Sequence, residues 1–336
     1  MKKLFALLFL LIGSVPAFPR LNIIFETDMG NDADDALTLD MLYKWHDQRD
    51  IKLLAVMLNK SGDYPVKYID LMNTWYGYGK LPIGRLGGPN AGLEPWTAYT
   101  ETLVNMKDED GNPVYERTVE DINELPLAPE LYRKLLSKVK DHSVSIVSVG
   151  FSTNLALLLD TKPDKYSKLS GMELVAKKVK NLVVTAAHLE DPNFIEFNIK
   201  GDIPAARKVY DKWPTPIITS PYNLGIHIGY PGTHMKSLER SEHMPLVDSY
   251  HDYHKDWGGQ PSWDLTAALY AVDPQDMFGM TKAGRMTIEA DGRSKFTEMP
   301  GGLHYCLTTT QEQREKIVRY YCEIIGKKPK HAKTKR

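Results

Sequence analysis

Apolar positions in this chain fall into short runs separated by helix-spaced segments. "LNIIFET" (21–27) reads as a strand, and "IKLLAVML" (51–58) is almost continuously apolar, as a parallel strand covered on both faces must be. Between them Leu37, Met41, Leu42 and Trp45 recur at helical spacing, which predicts a helix from about Asp34 to Trp45. A helix around 65–77 and a strand at "LPIGRLG" (81–87) follow. The pairing then recurs: "SVSIVSVG" (143–150) precedes "STNLALLL", and "NLVVTAA" (181–187) precedes "PAARKVYDKW" (204–213). "TPIITS" (215–220) is a further strand, a helix crosses 262–271, strands lie near 284–290 and 302–308, and a helix around 310–325 closes the series. Such alternation predicts an α/β fold: an open, mostly parallel sheet with helices on both faces, in a single domain. The stretches 88–128 and 228–262, rich in Gly, Pro, His and charge, read as long loops of the kind that carry function.

Length and charge bound the rest. At 336 residues, 42% apolar and net charge −1, the chain can bury a large core and gives no reason to expect nucleic acid. The basic end "KKPKHAKTKR" (327–336) reads as a solvated terminus rather than a binding arm. The other end, "MKKLFALLFLLIGSVPA", has two lysines, an apolar run and a small residue at Ala17, the layout of a secretory signal peptide. The run is too short to span a bilayer comfortably, and no cysteine follows it to take a lipid. The expected division is therefore a signal peptide at 1–17, one domain at 18–328 and a tail at 329–336. The mature protein is expected to be exported, periplasmic or secreted, and free of the membrane. Cys306 and Cys322 could pair in an oxidising compartment, but their spacing leaves this open, as the sequence leaves open a homo-oligomer.

The chemistry concentrates in "FETDMGNDADDALTLDML" (25–42), where Glu26, Asp28, Asp32, Asp34 and Asp35 crowd between apolar flanks. In parallel sheets ligands bind outside the carboxyl ends of the strands, where Asp28 falls. Asp34 and Asp35 fall where the next helix begins. A helix N-terminus favours carboxylates, so Asp32 or Asp34 is expected to cap, but a cap uses one side chain and cannot account for five. A hard divalent cation accounts for them better, since calcium takes six to eight oxygen ligands. An EF-hand is excluded because its sixth and twelfth positions, counted from Asp28, are Ala33 and Leu39. An aspartate-rich motif of the all-helical prenyl-transfer enzymes is excluded by the strands.

"ETDMGNDADDALTL" resembles the N-terminal signature of the inosine/uridine-preferring nucleoside hydrolases, Asp-Thr-Asp-Pro-Gly-x-Asp-Asp-Ala. Three further segments resemble that family in the same order: "VSVGFSTNLALLL" (147–159), "IEFNIKGDIPAARKV" (195–209) and "SWDLTAALYAV" (262–272). The resemblance runs from about residue 21 to 325. It implies hydrolysis of the N-glycosidic bond of a ribonucleoside or related ribosyl compound by metal-bound water, through an oxocarbenium-like state. It further implies one Ca2+, held by Asp28, Asp35, Asp264 and the Val149 carbonyl. Asp28 would also be the general base, since a cation lowers the pKa of its bound water. Asp34, Asn198 and Asp264 would hydrogen-bond the ribose hydroxyls and Glu196 the 5′-hydroxyl. Read without the resemblance, Glu196 could start a loop, Asn198 could sit in a turn and Asn154 could cap a helix.

The chain also departs from the family. "DMGNDADD" is two residues longer than the usual spacing, so Asp32 competes with Asp34 for the sugar. The family's early Asn finds its nearest counterpart in Asn59. In "AAHLEDPNF" Asn193 is the candidate for a 5′-hydroxyl contact, with His188 a more distant one. The histidine that well-known members carry before the last aspartate is here Trp263, which cannot deliver a proton. Trp263 either packs in the core or stacks on the leaving base. His227, His234, His243, His251 and His254 could supply an acid, but no motif selects one. A ribosyl-binding protein that kept the site and lost catalysis is the alternative reading.

Overall fold

The structure, a computed structural model, describes residues 20–88 and 98–332. The proposed signal peptide lies outside the described residues. The chain opens with strand β1 (Leu21–Thr27), helix α1 (Asp34–Gln48), β2 (Ile51–Leu58), α2 (Asp63–Trp75) and the two-residue β3 (Ile83–Gly84). Helices α3 (Ala98–Asn105) and α4 (Ala128–Leu136) lead to β4 (Val144–Ser148), α5 (Thr153–Asp160), α6 (Gly171–Lys178) and β5 (Val179–Thr185). Then come α7 (Phe197–Gly201), α8 (Ile203–Lys212), β6 (Ile217–Ser220), α9 (Tyr222–Gly225), β7 (Gly229–Tyr230), α10 (Gly232–Ser237), α11 (Pro245–His254) and β8 (Gln260–Pro261). The last part holds α12 (Trp263–Val272), β9 (Gly279–Met280), β10 (Gly284–Ile288), β11 (Ser294–Glu298), β12 (His304–Thr308) and α13 (Gln311–Gly326).

The main sheet runs β11-β10-β12-β6-β5-β4-β1-β2-β3. The strands from β3 to β12 along that path pair in parallel, while β10 and β11 form an antiparallel edge. Successive β1 residues feed opposite faces, as a period of two requires. Ile23 and Phe25 join the core under α1, α2, α12 and α13, and Ile24 joins the core under α4, α5, α6 and α8. Helix α1 is buried on nearly every side because it lies between the sheet and both α12 and α13. Two helix starts carry reciprocal caps, Ser170 with Glu173 at α6 and Thr310 with Gln313 at α13.

The expected architecture is the observed one: a mostly parallel sheet with helices on both faces, in one domain. Details differ. The strand expected over 81–87 shrinks to Ile83–Gly84, followed by a single bridge from Arg85 to Leu127. The regions read as loops hold helices: α3 within 88–128, and α10 and α11 within 228–262. Helix α11 buries Leu246 and Val247 only in its first turn and continues inward with Ser249 and Tyr250 among His and Asp, so no helical repeat of aliphatic residues marks it. Cys306 is buried on β12 and Cys322 half-buried on α13, and the two are not bonded. Among the described residues no helix is long and apolar enough to cross a membrane.

Candidate active site

The strand order reverses direction between β1 and β4, which pair in register from Asn22–Val144 to Glu26–Ser148. At such a switch point the loops after the two strands diverge and leave a crevice. Here those loops begin with Asp28 and with Val149–Gly150. They approach so closely that a Cβ on Gly150 would stand 2.7 Å from both Asp28 N and Asp28 Oδ1, and 2.5 Å from Asn59 Oδ1. Only glycine lets the β4 turn lie against Asp28.

The acidic residues are set from three directions. Thr27, the last residue of β1, donates its hydroxyl to Asp35 Oδ1 and accepts from Met29 N (3.1 Å). Gly30 (φ 98°) turns the loop through the left-handed region. Asn31 Nδ2 then donates to Asp28 Oδ2. Asp34 and Asp35 occupy the first turn of α1, both 1% exposed. From the far end of the chain, α12 presents Asp264, whose backbone N donates to Asp34 Oδ2 (3.1 Å). One carboxylate oxygen from each of Asp32, Asp34, Asp35 and Asp264 lies within 4.8 Å of the others. This group of four is not the expected carboxylate set of Asp28, Asp35 and Asp264: it takes in Asp32 and Asp34, while Asp28 stands outside it and lines the same cavity. Neither Asp32 nor Asp34 caps α1. Ala33 occupies the cap position, and no side chain bonds the free N–H groups there.

The opposite wall comes from α7. Glu196, 4% exposed, is that helix's N-cap and accepts from Asn198 N (2.9 Å) and Ile199 N (3.1 Å). Asn198 sits in the first turn, and its Nδ2 bridges Val149 O (2.9 Å) and Thr185 O (3.0 Å), joining the ends of β4 and β5. One lone pair of the Val149 carbonyl is thus used and the second is available to another partner. Asn154 is not a helix cap; it reaches from α5 to Leu58 O (2.9 Å) and accepts from Gly87 N (2.9 Å).

A cavity of about 290 Å³ opens over these groups, lined by Asp28, Asn31, Asp32, Asp34, Asp35, Val149, Glu196, Asn198 and Asp264. Its remaining wall is Thr185 and four aromatic residues, Phe197, Tyr222, Tyr253 and Trp263. Trp263 stacks on Tyr222 (5.3 Å between centroids, 22° between planes) and donates Nε1 to Tyr222 O (3.2 Å). Tyr222 in turn stacks against His188 (5.5 Å, 27°). None of the ten histidines lines the cavity. His188 Nδ1 is occupied as an acceptor for Glu190 N (3.2 Å) and Asp191 N (2.9 Å). Among the loop histidines, His234, His243 and His254 are engaged with Tyr230, Asp248 and Gln260.

Two expected contacts do not reach the cavity. Asn193 is exposed, its N–H bonded to Asp191 Oδ1 (2.9 Å). Asn59 lies fully buried behind the turn, where its Oδ1 accepts from Phe151 N (3.1 Å). Tyr222 and Tyr253 lie outside the family-like segments, while Asn31 and Phe197 lie within them but take no role from the resemblance.

Electrostatically the site is unfinished. Burial, then the Asp264 and Asp32 charges, holds Asp34 well above the usual carboxylate range; burial, then Asp28 and Asp32, does the same to Asp35. Asp264 is raised by burial and by Asp35. Burial pushes Asp28 up to about 7 against the attraction of Lys60, and Glu196 up to about 7 against its two backbone hydrogen bonds. Convergent oxygen donors that destabilise one another's charge fit a hard divalent cation, which the group Asp32, Asp34, Asp35 and Asp264 could hold.

The switch-point crevice thus offers a small molecule buried carboxylates on its floor and aromatic rings on its wall. The model of the inosine-uridine preferring nucleoside hydrolase family matches residues 23–324. The chain belongs to that family, and it is a hydrolase acting on N-glycosyl bonds. The family is metal-dependent. Solved structures share the fold at low identity. A plant nucleoside hydrolase superposes with a TM-score of 0.70 at 18% identity, over 91% of this chain and 99% of its own. A purine-preferring ribonucleoside hydrolase from Gardnerella vaginalis gives 0.65 at 15%, over 91% and 98%. The type III effector XopQ, complexed with adenosine diphosphate ribose, gives 0.67 at 13%, over 91% and 93%. No curated protein matches the chain.

Proposed function

We propose that this protein is an exported, calcium-dependent ribohydrolase that cleaves a ribonucleoside or a related ribosyl compound. The observation that carries the reading is the convergence of Asp28, Asp34, Asp35, Val149, Glu196, Asn198 and Asp264 on one cavity at the switch point. Calcium would be held there by Asp28, Asp35, Asp264 and the Val149 carbonyl, and would supply a positive centre that makes a bound water more acidic. Asp28 takes the proton of the attacking water. Asp34, Asn198 and Asp264 orient the ribose hydroxyls and Glu196 the 5′-hydroxyl. The surrounding carboxylates favour positive charge developing on the ribose ring. The leaving base lies against Trp263, whose stack on Tyr222 gives it a fixed electron-rich face. With no histidine in the cavity, the base either departs as a good leaving group or is protonated while held on that face.

The test is release of free ribose from a panel of nucleosides, a ribosyl pyridinium and ADP-ribose, with calcium and with chelator. Calcium-dependent release from at least one member is expected. Trp263→Ala should lower turnover on purine nucleosides and spare the pyridinium. Equal loss on every substrate would return Trp263 to packing, and no release from any member would leave the ribosyl-binding alternative.

A further inference from the structure

The β1–α1 loop departs from the family spacing, and the departure has a partner on the neighbouring strand. The lengthened segment contains Asn31, whose Nδ2 donates to Asp28 Oδ2 and whose Oδ1 accepts from Lys60 Nζ at 2.6 Å. Lys60 stands just past the end of β2 and is only 3% exposed. Ammonium groups are rarely buried so deeply unless anions surround them. The anions here are the site's own: burial lowers the Lys60 pKa from its ordinary value, and the charges of Asp28, Asp35 and Asp32 oppose that and favour the ammonium form. The Lys60 side chain, having no oxygen, cannot ligate calcium, and as an ammonium it is no neutral spacer.

We infer that Lys60 is the resident counter-cation of the acidic site: tethered through Asn31, it positions Asp28 and steadies the loop when no metal is bound, and it weakens divalent affinity. The inference rests on the metal reading above and adds a device to it. A site with this many carboxylates and no internal cation would grip calcium tightly and repel itself once emptied. With Lys60 present the emptied loop keeps a partner for its negative charge, and an incoming ion must share the carboxylates with it. Lys60 is thus a positioning residue, acting on Asp28 through Asn31.

The experiment titrates the full chain with calcium chloride alone by calorimetry, comparing wild type with Lys60→Met, Lys60→Gln and Lys60→Arg. Melting temperatures are taken in chelator and in saturating calcium. Removing one positive charge from among the carboxylates should tighten calcium binding on the order of 10- to 100-fold in Lys60→Met and in Lys60→Gln. Their melting temperatures should fall below wild type in chelator and rejoin it in saturating calcium. Lys60→Arg should stay near wild type in both. Charge-free variants that bind calcium no more tightly than wild type would overturn the role of Lys60 while leaving the metal reading intact. A stability deficit that persists in calcium would reduce Lys60 to packing. If neither wild type nor the variants bind calcium, the metal reading fails and this inference with it.

Discussion

Helix α1 carries two groups of buried charge that are handled in opposite ways. In its first turn Asp34 and Asp35 face Asp32 and Asp264, carboxylate toward carboxylate. Further along the same helix, Asp40 is matched: Oδ2 bonds Lys44 Nζ (2.8 Å), Oδ1 takes the Tyr76 hydroxyl, and Lys44 also donates to Ile325 O in α13. Burial is alike in the two places. The second group is complete within the protein and ties α13 to α1. The first is incomplete, and a group of buried charges left incomplete marks the place where something else binds. Acid content or burial alone would not separate the two; partner count does.

The sharpest way to break this contrast is at Asp28. Asp28→Asn should cut turnover about 10²- to 10⁴-fold with the fold intact by circular dichroism, as expected for a lost general base. Lys44→Met should do the reverse. It strands Asp40 and should cost about 3–5 kcal/mol of stability in denaturant unfolding, with calcium affinity and turnover per folded molecule unchanged. A fall in calcium affinity would show that the two groups are not separate. Removing calcium comes next. At a hundredfold excess over its dissociation constant the ion contributes about 2.7 kcal/mol, so chelator should lower the melting temperature by several degrees, and less so in Asp35→Asn, which binds it weakly. The smallest effect concerns another matched pair. Arg133, buried in α4, bonds Asp164 and holds its carboxyl down to about 2. The folded pKa lies below the ordinary 3.8, so the pair's contribution is present above that value and is lost as pH falls through about 2. Denaturation curves of wild type and Asp164→Asn should differ at neutral pH and converge near pH 2.

Much of this was legible in the sequence. Strands β1, β2, β4 and β5 are apolar runs because both of their faces are covered, and Asp28, Asp34 and Asp35 stood out because acids rarely crowd between such runs. Asp264, Glu196, Asn198 and Val149 were legible only through segments resembling a family in the same order. The rest had no local mark. Tyr222 and Tyr253 line the cavity from two separate elements outside any family-like segment, and an aromatic residue beside a site reads like one in a core until the fold is known. Lys60 reads as a surface lysine, because nothing near it in sequence tells that Asn31, across the strand pair, will take its ammonium. Asn193 misled in the other direction: its segment differs from the family's, and its side chain is left in solvent.

The bond from Asp264 to Asp34 spans 230 residues. A ribosome adding roughly 5–20 residues per second makes Asp34 roughly 10–50 seconds before it makes Asp264. During that interval the acids at the end of β1 can meet neither their distant partner nor the tryptophan beside it. The pocket therefore belongs to the finished chain: a polypeptide cut off just before α12 carries the acids of β1 and α1 but lacks Asp264 and Trp263, which close the cavity over them, whichever compartment it occupies.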